Sequence, residues 1–234
     1  MSTARAYARP AAYAEATVRS EFIRRTYTHL AFAVLGFLAV ENVLLSWSGA
    51  PALVGLMVGG YGWLVVLAAF MGVSWLADRW AQSDASPQLQ YLGLGLFVVA
   101  EAVLFLPLLY MAVNFSSPEV LSKAGLMTLV LFGGLTFVAF TTRKDFSFLR
   151  GILAIGGFIA LGVILVSILF GFSLGLFFST IMVAYAAGSI LYTTSNIIHH
   201  YRPDQHVAAS LALFAGVALL FWYVLRIFMA LGDD

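Results

Sequence analysis

Apolar residues in this chain come in long blocks, each bounded by polar, charged, Gly or Pro positions. A helix that crosses the hydrocarbon core of a bilayer needs roughly 20 mainly apolar residues. Seven stretches meet that length, at 28–48, 52–77, 89–113, 119–141, 148–170, 173–197 and 207–231. Only Gly171, Phe172 and Ser173 separate the fifth from the sixth. A single span of about fifty residues is impossible, so a tight turn is expected there. The pattern predicts an all-α polytopic membrane protein, with a polar N-terminal tail over 1–27 and a seven-transmembrane-helix bundle over 28–234.

Charge then orients the bundle. Cytoplasmic loops carry an excess of Lys and Arg. The tail holds Arg5, Arg9, Arg19, Arg24 and Arg25, the second loop Arg79, the fourth Arg143, Lys144 and Arg150, and the sixth Arg202. Those residues fall on one side of a seven-span chain, leaving Lys123 and Arg226 for the other. The N-terminus is expected in the cytoplasm and the C-terminal Asp233 and Asp234 outside it. The apolar run after the tail is long and lacks a small-residue cleavage site, so the first helix is expected to be retained rather than removed as a signal peptide.

Composition narrows the function. Hydrophobic residues make up 62% of 234 positions and charged residues 10%, with a mean hydropathy of +0.96. A soluble domain of this size has too little interior to hide so much apolar surface, so the lipid bilayer is the first expected partner. A net charge of +1 gives no bulk attraction to nucleic acid. Cysteine is absent, which excludes a disulfide framework, a thiolate nucleophile and a cysteine zinc site. His199, His200 and His206 cluster around the sixth loop, yet Asp204 is the only carboxylate near them, so no metal site is expected. No GxSxG elbow, HExxH, Walker A or GxGxxG motif is expected, and the seventh span has no lysine for a retinal Schiff base; no catalytic residue and no cofactor are expected. Gly55, Gly59, Gly60 and Gly62, and later Ala184, Ala187 and Gly188, are small residues that would let helix backbones approach closely.

Two carboxyl groups fall inside predicted spans. Ionisable side chains are costly in hydrocarbon and are functional candidates by default. Glu41 lies toward the outer end of the first span, beside Asn42. Glu101 lies roughly 18 Å into the third, near the bilayer middle. Either acid reads as an ion-pathway residue for protons or a cation, or as a neutral carboxyl that hydrogen-bonds a neighbouring helix. For Glu101 the candidate partners are Thr193, Thr194, Ser195 and Asn196.

At two stretches the sequence is more specific. The fourth loop reads TTRKDFSFLRG from Thr141 to Gly151, with Thr142, Arg143, Lys144 and Asp145 at its centre, and the sixth span ends GSILYTTSNIIHH from Gly188 to His200, with Tyr192 and Asn196. FIRRTYTHL (Phe22 to Leu30) and YVLRIF (Tyr223 to Phe228) agree with them. Together these closely resemble the bacterial YccA-type branch of the Bax inhibitor-1 (TMBIM) family, and the seven-span count fits that family's fold. The resemblance implies a multi-pass protein of the bacterial inner membrane. Leak-competent members use a pair of aspartates as a pH-gated calcium site, and here Thr193 and Gly216 occupy the matching positions. Without that pair a calcium ion loses its anionic oxygen ligands, and no shared-proton sensor exists. The branch also implies a stress-response role as modulator of the membrane-anchored AAA protease FtsH, with the polar tail as its cytoplasmic handle. A pH-sensitive calcium or cation leak is the alternative.

A reporter fused after Asp234 is expected to behave as extracytoplasmic, given the distribution of Lys and Arg. Cytoplasmic activity of that fusion would remove the seven-span arrangement.

Overall fold

A computed structural model of the chain describes residues 10–84 and 86–232; Arg5, Arg9, Asp233 and Asp234, which helped set the topology, lie outside them. A 3-10 turn (Ala11–Tyr13) leads into α1 (Ala16–Ser46), α2 (Ala50–Val58), α3 (Gly62–Ala81), α4 (Pro87–Phe115), α5 (Glu119–Thr142), α6 (Leu149–Phe170), α7 (Gly175–His199) and α8 (His206–Gly232). All but α2 are long and apolar enough to cross a membrane, and no strand occurs among the described residues. The fold is an all-α polytopic membrane bundle. Hydrocarbon offers backbone N–H and C=O groups no partner, so a chain of this composition satisfies them within helices.

Two boundaries differ from the hydropathy pattern. The first helix starts at Ala16, well before residue 28. Phe22, Thr26 and Leu30 recur one turn apart and are all buried, while Glu21 and Arg25 pair at 2.5 Å on the polar side. Amphipathic packing carries the helix where apolar content alone predicted a tail. The preceding 3-10 turn is docked too: Ala11 is fully buried, and its N–H donates to the carbonyl of Tyr201 at 2.8 Å.

The second predicted span is two helices. Gly60 sits at φ +52° between α2 and α3, a Cβ on Gly62 would collide with the carbonyl of Leu56, and a Cβ on Gly59 would lie 2.7 Å from the carbonyl of Gly55. The glycine group expected to pack helix against helix instead makes a break, and Gly55 itself has nothing close to its missing Cβ. The turn after the fifth span lies where expected: Gly171 at φ +71° caps α6 by donating to Ser167 O at 2.9 Å.

α4 and α8 form the centre. In their most apolar windows 61% and 67% of residues are buried, against 11–22% in the other five long helices. Around the pair, Phe105 meets Trp222 edge-on at 4.9 Å and Phe37 at 5.1 Å, and Phe214 meets both Phe37 and Phe97. Such ring pairs add about 0.5–1.5 kcal/mol each beyond the area they bury. Outward, Phe158, Phe170 and Phe177 are 77–80% exposed, which in water would forfeit about 1.5–3 kcal/mol per side chain and in a bilayer does not. Successive spans alternate in direction, so Arg24, Arg25, Arg79, Arg143, Lys144, Arg150 and Arg202 gather at one end. We refer to this as the basic end; Lys123 and Arg226 lie toward the far end.

Gly93 marks the tightest approach of α3 to α4. A Cβ there would lie 2.5 Å from Ala77 O and 2.7 Å from Ala81 N, whereas Gly95 has nothing within 4 Å. Both atoms near Gly93 are backbone and cannot step aside. Gly93→Ala is therefore expected to destabilise the bundle by about 1–3 kcal/mol, read as a lowered melting temperature in detergent, while Gly95→Ala stays near the parent. Equal behaviour of the two variants would contradict the packing.

Candidate functional site

The two specific sequence stretches meet at the basic end. α5 closes at Arg143, whose φ of 51° turns the chain and whose N–H donates to Ala139 O at 3.1 Å; Thr142 Oγ1 donates back to Val138 O at 2.8 Å. The loop from Lys144 to Phe148 then lies against the end of α7. The Ser195 hydroxyl accepts from Phe146 N at 2.9 Å and donates to Lys144 O at 3.3 Å. Asp145 accepts from Ser147 N at 2.9 Å and faces His200 Nε2 at 3.2 Å. The Ser147 N–H holds the Asp145 carboxyl below its usual range, with His200 a smaller contributor.

Behind this joint is a cavity of about 400 Å³. α7 supplies Tyr192, Asn196 and His200, the start of α6 supplies Ser147 and Arg150, and Gln82, Tyr201 and Gln205 complete it. Burial, assisted by the charge of Asp78, pushes the Tyr201 phenol up to about 12, so it remains a hydrogen-bond donor at every physiological pH. Arg202 ties the rim together, reaching Asp84 at 2.6 Å and Asp204 at 3.1 Å. The cavity can hold a small polar group by hydrogen bonding.

Thr193 and Gly216, which the sequence resemblance sets against an aspartate pair, lie on the antiparallel helices α7 and α8. Thr193 is buried, and Gly216 is packed under the fully buried Ile190, one turn from Thr193. A Cβ on Gly216 would lie 3.1 Å from Ile190 Cγ1, so a side chain there would have to push Ile190 aside by a few tenths of an ångström. Beside Thr193, the hydroxyls of Thr194 and Thr136 converge on that of Tyr27, all three buried and facing one another outside good hydrogen-bonding geometry.

Glu41 and Glu101 are 3% and 6% exposed. Both oxygens of Glu41 are buried without a hydrogen-bond partner, and Glu101 makes no hydrogen bond or ion pair among the described residues. Thr193 to Asn196 do not serve as its partners, since Ser195 is committed to the loop and the Asn196 carbonyl takes His200 N and Tyr201 N. On α4, Glu101 shares a face with Phe97 and Phe105; on α1, Glu41 follows Phe37 by one turn. The two acids thus flank one aromatic cluster.

The histidines adjacent in sequence are separated in space. His206 stands 5.0 Å from His29 and within 3.3 Å of the Tyr91 hydroxyl, away from the His199–His200 pair. A Gly-x-Ser-x-Gly spacing does occur, at Gly171 to Gly175, but a nucleophile elbow needs a strand before its helix, and here it is the turn between two helices.

Ser195 and His200 were inside a motif stretch, yet their role depends on which loop α7 meets, which periodicity does not encode. Gln82 and Gln205 come from remote loops and carry no sequence signal at all.

The model of the family described as "Inhibitor of apoptosis-promoting Bax1" matches residues 19–233. An uncharacterized protein of Pseudomonas aeruginosa is 31% identical over 229 residues, spanning 95% of this chain and 96% of its own. LIFEGUARD 4 of Arabidopsis thaliana is 28% identical across 91% of this chain and 86% of its own. Bax inhibitor 1 of Schizosaccharomyces pombe is 25% identical across 96% and 82%.

The joint yields an ordered pair of outcomes. Ser195 is fully buried, so Ser195→Ala orphans the Phe146 N–H and is expected to cost about 1–3 kcal/mol. Asp145 is 44% exposed, so Asp145→Asn is expected to cost under about 1 kcal/mol. Because the native carboxyl is held below its unfolded value, its contribution is present above about pH 4 and fades as pH falls through the native value. Thermal melts of both variants between pH 3 and 7 check the order; a larger loss in Asp145→Asn would reverse it.

Proposed function

Since the chain belongs to the Bax inhibitor-1 family, we propose that it is a YccA-type stress-response modulator of the bacterial inner membrane that acts by contact, its partner the membrane-anchored AAA protease FtsH. The observation that carries this reading is the pair of positions itself: Thr193 and Gly216 carry no carboxylate, and Ile190 packs tightly where a Cβ on Gly216 would begin. Calcium binding demands several hard oxygen ligands with negative charge, and this pair of positions supplies none. What remains is a shaped polar surface at the basic end, where both motif stretches, the docked turn at Ala11 and the cavity around Tyr192 and Asn196 come together. With the N-terminus inside, that surface faces the protease's working domain.

A second reading, a proton or cation leak, is favoured by one specific observation: Glu41 and Glu101 are buried without hydrogen-bond partners. A merely structural carboxyl would be expected to hold a neighbour, because an unsatisfied buried polar group costs about 1–3 kcal/mol.

Vesicles containing FtsH, a membrane substrate and this protein separate the two. The proposed role requires the rate of substrate loss to change when the protein is present, and calcium flux to stay weak and flat between about pH 6 and 8, the range in which a coupled carboxyl pair would titrate. Unchanged proteolysis sinks the modulator reading. PH-dependent flux that disappears in Glu101→Gln, with the melting temperature kept, would establish the leak instead.

A further inference from the structure

A cavity of about 710 Å³ opens toward the far end of the bundle, within the ~300–1,000 Å³ range of small-molecule sites. Three interruptions of regular helix border it: the break at Gly60, the internal Pro107 of α4, and the turn at Gly171 to Ser173. The walls are mainly apolar, with Trp63 and Trp222 stacked at 6.0 Å and Met111 and Met229 beside them. Aromatic and thioether groups of this kind accommodate flexible hydrocarbon.

Among the described residues, Arg226 is the one charged residue lining this space. Among the described residues it makes no ion pair and no hydrogen bond. A guanidinium presents five N–H donors and is always charged, and leaving them without acceptors beside apolar walls is costly. The wall's own polar atoms do not relieve it: Ser167 Oγ donates to Ile164 O at 2.8 Å, and the Ser167 carbonyl accepts from Gly171 N and Phe172 N. No described residue supplies an acceptor for Arg226, so a molecule seated in the cavity can.

The geometry points to a binding site for an anionic amphiphile drawn from the bilayer, its carboxylate or phosphate head on Arg226 and its hydrocarbon against Trp63, Trp222, Met111 and Met229. Planar guanidinium donors match both head groups in a two-point contact. The competing account is an arginine that merely snorkels to bulk lipid head groups. That account predicts no saturable site.

The test uses the full chain, stripped of lipid in an uncharged detergent, with tryptophan emission quenched by bromine-labelled palmitate. Competitors are palmitate, 1-palmitoyl phosphatidic acid, uncharged monopalmitin, acetate and inorganic phosphate. Saturable quenching is expected, displaced by the two acidic amphiphiles, with monopalmitin weaker by about tenfold or more. Arg226→Gln is expected to weaken palmitate by about tenfold or more, and Arg226→Lys by less. Met229→Glu, which sets a carboxylate one turn from Arg226, is expected to weaken it as well and carries the test if Arg226→Gln does not fold. Non-saturable quenching, equal affinity for monopalmitin, or unchanged affinity in both Arg226→Gln and Met229→Glu overturns the site. Displacement by acetate or phosphate at the amphiphile's concentration makes it a site for free anions and overturns the amphiphile.

Discussion

Everything in this molecule follows from a solvent that accepts no hydrogen bonds. Inside hydrocarbon a backbone amide must find its partner along its own helix, so chain direction can change freely only near the bundle's ends or where side chains close over the gap. The break at Gly59 to Tyr61 and the turn at Gly171 to Leu174 obey this limit. Both lie toward the far end. The basic end solves the same problem differently, with a serine hydroxyl, an aspartate and a histidine fastening a loop to a helix.

Polar groups are consequently distributed unevenly. At the basic end Ser195 and Asp145 tie down the loop after α5, and Arg202 reaches both Asp84 and Asp204. In the interior the pattern reverses. Glu41 and the hydroxyls of Tyr27, Thr136 and Thr194 are buried and open-handed.

Span number, the turn after α6 and the gathering of cationic residues at one end were all legible in the sequence, because hydropathy and charge report on the bilayer directly. The start of α1 was not. Its first turns are polar on one side and packed through Phe22 and Thr26 on the other, and an average over a window hides that asymmetry. The glycines at 59, 60 and 62 were seen but read as a packing face, since small residues serve both purposes and only the φ of Gly60 tells them apart. The close packing over Gly216 was invisible for a different reason: a missing carboxylate can be read from a sequence, but the Ile190 side chain packed against its place is a matter of register between two helices.

The central position of α8 has a consequence for how the chain is made. Seven helices precede it in the sequence, yet its inner face supplies Phe214, Leu220 and Trp222 to the aromatic centre, and Ser210 fastens it to α1 through the Thr26 carbonyl at 2.8 Å. During synthesis, the earlier helices enter the bilayer around a vacancy. Until α8 arrives, the sides of α1, α4 and α7 that pack against it have no protein partner. The aromatic centre thus closes only when α8 is in place, and a polypeptide arrested before it leaves Phe37, Phe97 and Phe105 without the ring partners that Phe214 and Trp222 provide.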